Sequence, residues 1–180
     1  MIEASRLILR PWTKADLPEL IRISNTQAVM AHLGGVAEEE KFHAAFERAV
    51  DSQRDNGFCL WLMERRRDHA LLGLCGLKLG TVGPIDGEIE IGWRIAEEAW
   101  GQGYAREAAS ASLDWAWAKL ARSRIFAVTV AANTRSWGLM ERLGMQRHRD
   151  LDFDHPTYTE GHPLRPHITY VIERPGRADP

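Results

Sequence analysis

The sequence predicts an α+β protein in which one mixed sheet carries packed helices. Segments with strand-like alternation follow one another in the middle of the chain, and toward the C-terminus they alternate with segments of helical periodicity. The strictest alternation is GEIEIGWRI, residues 87–95. With 180 residues, 44% of them hydrophobic, the chain is long enough to bury the core of one domain.

Capping and turn residues set the predicted boundaries in the N-terminal half. Thr13 and Asp16 form a capping pair ahead of the first helix. Phe42 and Phe46 lie on one face of the second helix, which ends at Asn56-Gly57. The predicted elements are a strand at 6–12, a helix at 13–25, a helix at 38–57 and two strands within 58–80.

The C-terminal half alternates between strands and helices. Asn133 is the predicted cap of one helix, and Gly144 ends it. The predicted elements are a strand at 87–95, a helix from about 100 to 120, a strand at 124–130, a helix at 133–144, a strand at 145–153, a loop at 154–166 and a strand at 167–173. We expect a single domain over residues 1–174 and a flexible tail at 175–180.

Composition excludes several classes of protein. The net charge of −2 favours neither nucleic acid nor a membrane surface as a partner. No signal-peptide core is present, and the longest apolar stretch, at 71–77, is too short to cross a bilayer. Cys59 and Cys75 cannot form a disulfide framework and have no zinc-ligand spacing. We therefore expect a cytoplasmic protein with two buried free thiols and no metal.

The stretch WGQGYAREA, residues 100–108, places two glycines between a strand and a helix. The start of a helix exposes unpaired N–H groups and the positive end of the helix dipole, and glycines let an anion approach them. Gly101 and Gly103 therefore predict an anion-binding turn, although a tight turn without a ligand explains the spacing equally well. The pattern of a nucleotide P-loop is absent. A dinucleotide-binding turn requires a third glycine where Arg106 stands.

Two motifs together resemble a known family. WGQGYAREA after EIGWRI, followed by NTRSWGLMERLGM, is similar to the GNAT superfamily of acetyl-CoA-dependent N-acetyltransferases. The opening RLILRPWTKAD and the closing FDHPTYTEGHPLRPHITY resemble the branch that contains the ribosomal-protein alanine N-acetyltransferases. The resemblance covers nearly the whole chain. It implies the GNAT fold, a mixed and mostly antiparallel sheet with a splayed strand pair that binds CoA.

The resemblance also implies where acetyl-CoA, the co-substrate, is held. Backbone N–H groups of the turn would bind the CoA diphosphate, and the strand before it would pair with pantetheine like an added strand. Trp100 departs from the general pattern of the superfamily at the first position of the turn, although this branch commonly has Trp-Gly there. The implied cofactor-binding residues are Trp93, Arg94, Ile95, Gly101, Gln102, Gly103, Tyr104, Ala105, Arg106 and Asn133.

Acyl transfer requires an acid for the departing thiolate. Many members of the superfamily have a tyrosine for this purpose where this chain has Met140, whose thioether cannot donate a proton. The resemblance to the ribosomal-protein branch implies Ser136 as the substitute, although a serine in a first helical turn is often only a capping hydroxyl. Asn133 is expected to cap the helix and to contact the pantetheine arm.

Acyl transfer also requires a neutral amine. Glu88 and Glu90 share one face of the strand 87–95, and glutamates on this strand act as the base in parts of the superfamily. Glu90 is preferred because it lies nearer the glycine turn, with a solvent-facing strand edge as the alternative. An α-amino group titrates near 8, so roughly a tenth of it is already neutral at pH 7 and water alone can suffice.

The remaining candidates are weaker. Arg106 and Arg142 are candidates for the CoA phosphates or simply exposed charges, and His155 and Tyr158 lie on a loop that resembles the substrate side of the branch. The predicted activity is acetyl transfer to a primary amine, of a peptide N-terminus or of a small molecule, by a monomer or homodimer. The alternative is a CoA-binding sensor without efficient catalysis, which Met140 favours.

Overall fold

The computed structural model describes residues 1–176, which form nine strands and five α-helices. The strands are β1 (Ile2–Glu3), β2 (Leu7–Arg10), β3 (Leu60–Arg65), β4 (Leu71–Leu79), β5 (Ile89–Ile95), β6 (Arg124–Val130), β7 (Gln146–Arg147), β8 (Phe153–Asp154) and β9 (Pro166–Glu173). The helices are α1 (Leu17–Ser24), α2 (Gln27–Met30), α3 (Glu39–Asn56), α4 (Tyr104–Lys119) and α5 (Thr134–Arg142). The strand pairs are mostly antiparallel, and β5–β6 is a parallel pair, which confirms the predicted α+β class.

The described chain divides into two compact units. One comprises Met1–Lys78 and Ile91–Leu113, and the other comprises Leu79–Glu90 and the chain from Asp114 onward. The single domain over 1–174 stays a prediction. Of the predicted tail at 175–180, residues 177–180 lie outside the described residues.

In the first unit, strands follow one another in chain order from β1 to β5. The register of β2 on β3 runs from Leu7 opposite Arg65 to Arg10 opposite Leu62. Leu7 and Leu9 are both fully buried at 0% exposure, so the alternation in RLILR points one face of β2 into the core.

Local signals position the helices of this unit as the sequence predicts. The Asp16 carboxylate accepts hydrogen bonds from the Thr13 backbone N–H and hydroxyl, both at 2.7 Å. A short 3-10 turn at Lys14–Asp16 then leads into α1. Gly57 ends α3 in the left-handed conformation, with φ of 78°, and Phe42 and Phe46 on that helix are buried.

The second unit is organised around β9. Strand β6 pairs antiparallel with β9 from Arg124 opposite Glu173 to Val130 opposite His167, and β7 and β8 also pair with β9. A small core joins Ile85, Phe126 and Val171. Buried residues follow one another without alternation from Ile125 to Ala127 on β6 and from Thr169 to Val171 on β9, so these strands are covered on both faces, unlike β2.

Three elements differ from the prediction. Strand β1 and helix α2 were not predicted, because two residues and four residues are too few to repeat a pattern along the chain. The predicted strand at 145–153 is interrupted by a 3-10 turn at Arg149–Leu151. Thr169 of β9 holds this turn: its N–H donates to the Asp152 carboxylate at 3.0 Å and its hydroxyl donates to the Leu151 carbonyl at 2.7 Å.

The two thiols are free and buried, as predicted. Cys59 is 2% exposed and Cys75 is 0% exposed. Burial raises the pKa of each thiol to about 12, because the thiolate would lose its hydration. Burial therefore disfavours the thiolate form of both cysteines at neutral pH.

Candidate active site

The glycine turn has the backbone that the sequence predicts. Gly101 and Gly103 have φ of 72° and 80°, a region that disfavours other residues. The first described i to i−4 bond of α4 runs from the Glu107 N–H to the Gly103 carbonyl, at 3.1 Å. The N–H groups of the preceding turn lie before the point where helical hydrogen bonding begins. A Cβ built at Gly101 would have no atom within 4 Å, so the space beside this turn is open.

Side chains within the turn hold its backbone in place. The Trp100 indole N–H donates to the Ile95 carbonyl at 2.8 Å, which ties the turn to the end of β5. The Gln102 amide donates to the Glu98 carbonyl at 2.7 Å. Trp100, which departs from the general family pattern, therefore has a structural purpose in this chain. The helix itself begins at Tyr104, four residues later than predicted.

Arg6 holds the turn from outside, and no local pattern in the sequence predicts this contact. Its Nε donates to the Glu107 carboxylate at 2.7 Å, and its Nη1 donates to the Gln102 carbonyl at 3.0 Å. Its guanidinium carbon lies 4.4 Å from the centroid of the buried Tyr104 ring. Arg6 thus contacts residues on both sides of Gly103, and the pairing spans about a hundred residues of chain, beyond the reach of local pattern analysis.

Strand β5 presents alternate backbone groups to its two edges. A Cβ at Gly73 of β4 would lie 2.1 Å from the Arg94 carbonyl oxygen, and the Ala96 N–H donates to the Leu72 carbonyl at 2.9 Å. Residues 94 and 96 therefore direct their backbone toward β4. By the alternation of a strand, Trp93 and Ile95 direct theirs to the opposite edge. Of the three predicted backbone contacts, those of Trp93 and Ile95 have the suitable direction.

The Arg94 side chain leaves β5 toward two helices of the same unit. Its Nη1 lies 3.7 Å from the Met30 sulfur, and its guanidinium carbon lies 5.3 Å from the centroid of the Phe42 ring. Burial lowers the pKa of Arg94, because the cation has lost hydration.

The two strand glutamates have different surroundings. Glu88 forms an ion pair with Arg124 at 2.7 Å. Glu90 is 6% exposed and lies opposite Phe126 at the one described residue pair between β5 and β6. The alternative of a solvent-facing strand edge is therefore wrong for Glu90, whose side chain is buried.

Asn133 occupies the predicted position at the start of α5 but does not cap it with its side chain. Its Nδ2 donates instead to the Thr129 hydroxyl at 3.0 Å, and the residue has φ of −83° and ψ of 66°. A side-chain cap requires an extended backbone, which points the oxygen at the N–H groups of the first turn. The expectation of a side-chain cap is therefore wrong, because Asn133 has a different backbone conformation.

Ser136 lies in the first turn of α5 and is partly exposed. Its backbone N–H donates to the Asn133 carbonyl at 3.0 Å, whereas its hydroxyl has no hydrogen-bond partner within residues 1–176. The hydroxyl therefore does not serve as a capping group. Met140, one turn further on, is 2% exposed and packs in the core.

The rings of the loop at 154–166 pack on one another. The His155 and His167 ring centroids are 4.9 Å apart, and the Tyr158 ring stacks on His162 at 4.7 Å. Asp154 pairs with Arg165 at 3.0 Å across the loop. A substrate-contacting role for His155 and Tyr158 stays a prediction.

The other predicted residues are at the surface. Arg106 and Arg142 are exposed, and neither forms an ion pair with any residue that the structure describes. Over residues 1–176, no group of three or more His, Cys, Asp or Glu side chains is placed to hold a metal ion. The same residues contain no helix with the length and apolar character needed to cross a membrane.

Comparisons with known proteins identify the family. The model of the Acetyltransferase (GNAT) domain matches residues 6–146. The uncharacterized N-acetyltransferase YoaA of Bacillus subtilis is 26% identical over 82% of this chain and 83% of its own. An acetyltransferase from Agrobacterium tumefaciens has a similar structure, with a TM-score of 0.77 and 24% identity over 96% of this chain and 93% of that one.

A third similarity concerns the branch that the sequence resembles. RimL, a ribosomal alpha-N-protein acetyltransferase solved in complex with coenzyme A, matches with a TM-score of 0.75. It is 17% identical and covers 96% of this chain and 97% of its own, so the likeness shows the shared fold. The family match spans most of the sequence and includes the glycine turn and Ser136, and the chain belongs to the GNAT acetyltransferase family.

Proposed function

We propose that this acetyltransferase transfers an acetyl group from acetyl-CoA directly to a primary amine. The observation that carries the proposal is the family match over residues 6–146, together with the open glycine turn inside it. A covalent acetyl-cysteine route is disfavoured, because Cys59 and Cys75 are buried and burial raises the pKa of each to about 12.

The turn fits the diphosphate of CoA. Gly101 and Gly103 expose backbone in a positive-φ conformation, and the space where a Cβ would stand at Gly101 is open. Backbone N–H groups from Gly101 to Arg106 would bind the phosphate oxygens at the positive end of the α4 dipole. Gln102 and Tyr104 contribute through their backbone, since their side chains have other contacts.

Strand β5 would hold the pantetheine arm. Trp93 and Ile95 direct their backbone groups away from β4, so they are available to an added strand-like ligand. The Ile95 carbonyl already accepts from Trp100, which leaves its N–H as the proposed donor. Backbone N–H groups on this edge of β5 would also stabilise the negative charge that develops on the thioester oxygen during attack.

Ser136 is the proposed acid. Bound acetyl-CoA supplies an activated thioester, and its cleavage leaves a thiolate that needs a proton. The Ser136 hydroxyl has no competing hydrogen bond within the described chain, so it can donate to the sulfur. Met140 at the family's usual acid position is buried and has no proton to donate. Asn133 would contact the pantetheine arm.

Glu90 is the proposed base, acting through water on the attacking amine. Glu90 is 6% exposed, and it lies nearer the glycine turn along the chain than Glu88 does. An α-amino group has an ordinary pKa of about 8, so part of such an acceptor is already neutral at pH 7 and the base contributes little to its rate of acetylation. Its contribution is expected to be larger for a lysine or alkyl amine.

A peptide N-terminal amine is the proposed acceptor, and a small-molecule amine is the alternative. The first rests on the resemblance of the opening and closing segments to the ribosomal-protein branch. We also propose a cytoplasmic location, supported by the two free thiols, and either a monomer or a homodimer.

The direct test is acceptor-dependent release of the CoA thiol across a panel of peptides and small amines. Wild type and Ser136→Ala are compared, and acetyl-CoA binding is measured separately by calorimetry. Turnover that depends on acceptor and falls in the variant supports the proposal. Turnover that is equal in both proteins would remove Ser136 from the mechanism.

A second candidate is a CoA-binding sensor without efficient catalysis. Met140 favours it, because the usual acid of the superfamily is missing and its position is buried. The sensor predicts tight acetyl-CoA binding with no acceptor-dependent turnover. The enzyme predicts both, so the two measurements separate the candidates.

A further inference from the structure

Arg94 is a cation without a charged partner. Its Nη1 contacts the Met30 thioether at 3.7 Å, and its guanidinium lies against Phe42. Within residues 1–176 it forms no ion pair and no hydrogen bond to oxygen. A thioether is a weak acceptor and a guanidinium has five N–H donors, so most of its hydrogen-bonding capacity is unused.

Other arginines of the same unit are arranged differently. Arg10 contacts the carboxylates of Asp16 and Glu64, each at 2.7 Å. Arg65 contacts Asp68 at 2.7 Å. Arg10 and Arg65 are therefore each paired with a carboxylate, whereas Arg94 is not.

Removing a charge from water is costly unless it is paired. Burial lowers the pKa of Arg94, which shows that the surroundings disfavour its charge. A methionine or leucine would pack against Met30 and Phe42 without this cost. A cation kept here at the expense of stability indicates a partner that the chain itself does not provide.

The unused donors of Arg94 remain reachable. Within residues 1–176, the side-chain nitrogen or oxygen that is both sealed from solvent and unpartnered is Nε of Arg147. The nitrogens of Arg94 that lack partners are therefore not sealed. A ligand that reaches them meets the N–H donors of a guanidinium that already lies beside the Phe42 ring.

We infer that Arg94 binds a carboxylate or phosphate carried by the acceptor, so that the enzyme selects amines bearing an anionic group and rejects polycationic amines. The inference rests on the proposed function, because Trp93 and Ile95, which flank Arg94, are the residues proposed to hold the pantetheine arm. An anion on Arg94 would anchor the acceptor beside the strand that presents the acetyl group. A polyamine would instead meet charge repulsion.

The test compares acceptors that differ only in the anionic group. The pairs are alanine with alaninamide, alanyl-aspartate with alanyl-asparagine, and phosphoethanolamine with ethanolamine, and spermidine is the polycation. These arms distinguish a terminal carboxylate, a side-chain carboxylate and a phosphate. Kinetics are measured for wild type, Arg94→Met and Arg94→Lys, and binding of each acceptor to the CoA-loaded protein is measured by calorimetry.

In wild type, the anionic member of at least one pair should bind more tightly than its neutral partner. Arg94→Met should raise KM or Kd for that acceptor about 10- to 100-fold and leave the neutral partner unchanged. Arg94→Lys should recover part of the loss. If wild type binds no anionic acceptor better than its neutral partner, or if Arg94→Met affects both equally, the inference is wrong.

Stability provides the second readout, with Arg10→Met as the matched control. Arg94→Met should keep or raise Tm, because it removes a desolvated cation, whereas Arg10→Met should lower Tm by removing the ion pairs to Asp16 and Glu64. A fall in Tm for Arg94→Met with unchanged acceptor preference would make Arg94 a structural residue. Acetyl-CoA binding tests the proposed function separately, since its absence in wild type would refute that function whatever the Arg94 variants do.

Discussion

At the start of α4, Arg6 and Gln102 are tied to neighbouring groups, and the backbone N–H groups of the turn are left open. At the start of α5, the Asn133 side chain turns to Thr129 and the Ser136 hydroxyl is left without a partner in the described chain. A fixed row of backbone donors suits the binding of an anion that does not change. A free hydroxyl suits proton transfer, because the group must change partners during the reaction. The start of α4 is therefore suited to binding the cofactor, whereas the start of α5 is suited to proton transfer.

Ser136→Ala gives the largest expected effect and tests the chemical role of α5. We expect kcat to fall about 100-fold or more. The Kd for acetyl-CoA and Tm should stay nearly unchanged, because the hydroxyl makes no described hydrogen bond. Ser24→Ala is the control, since the Ser24 hydroxyl donates to the Leu20 carbonyl at 2.7 Å. It should change Tm and not kcat, and the reverse pattern would contradict the assignment.

Gly101→Ala tests the binding role of the α4 turn. Gly101 and Gly57 have φ of 72° and 78°, and a Cβ at either would have no atom within 4 Å. The two alanine variants should therefore lose similar stability, about 1–2 kcal/mol from backbone strain. Only Gly101→Ala should weaken acetyl-CoA binding, by about tenfold, measured by calorimetry. Equal Kd values for the two variants would mean that the turn does not hold the cofactor.

Arg6→Ala sharpens the comparison by loosening the turn without changing its backbone donors. Glu107 would lose its ion pair and keep the hydrogen bond from the backbone N–H of residue 6, and the Gln102 carbonyl would lose its donor, so we expect Kd for acetyl-CoA to rise about 3- to 10-fold at unchanged kcat. Arg66→Ala is a close match, because the Arg6 and Arg66 side chains are 47% and 46% exposed. If both variants bind acetyl-CoA like wild type, the turn is rigid without Arg6.

Substitution of Asn133 by aspartate gives the smallest effect and tests whether the α5 start lacks a side-chain cap. Asn133 donates to Thr129, so Asn133→Asp should lower Tm by about 2–4 °C, as much as Asn133→Ala. Thr26 caps α2 by accepting from the Val29 N–H at 3.2 Å. Thr26→Asp keeps an acceptor and should retain Tm. A tolerated Asn133→Asp would show that the side chain caps the helix after all.

The sequence predicted the parts of this molecule that depend on neighbours along the chain. Alternation in RLILR, the Thr13–Asp16 pair and the glycines at 101 and 103 each act within a few residues, so their structural outcome was readable. The family resemblance extended this to the fold, which the comparisons confirm.

The parts that could not be predicted depend on residues far apart in sequence. Arg6 forms its ion pair with Glu107 only in the folded chain. That Arg94 contacts Met30 and no carboxylate is visible only in the structure. The Asn133 side chain was predicted to cap α5, but it donates to the Thr129 hydroxyl on the preceding strand instead. Local sequence patterns predict the secondary-structure element of a side chain, whereas its hydrogen-bond partners depend on residues that are distant in sequence.

The close approach of the Arg94 carbonyl to Gly73 has a consequence for the evolution of this chain. A Cβ at position 73 would lie 2.1 Å from a backbone oxygen, and the position also has φ of 133°. No other residue at 73 can be accommodated by moving a neighbouring side chain, because the obstacle is the main chain of β5 at Arg94 and Ile95. In a saturation library selected for folded protein, we expect position 73 to remain glycine, whereas glycines with open space around them should accept other residues more often. The close contact between β4 and β5 at this position should therefore be retained as the sequence evolves.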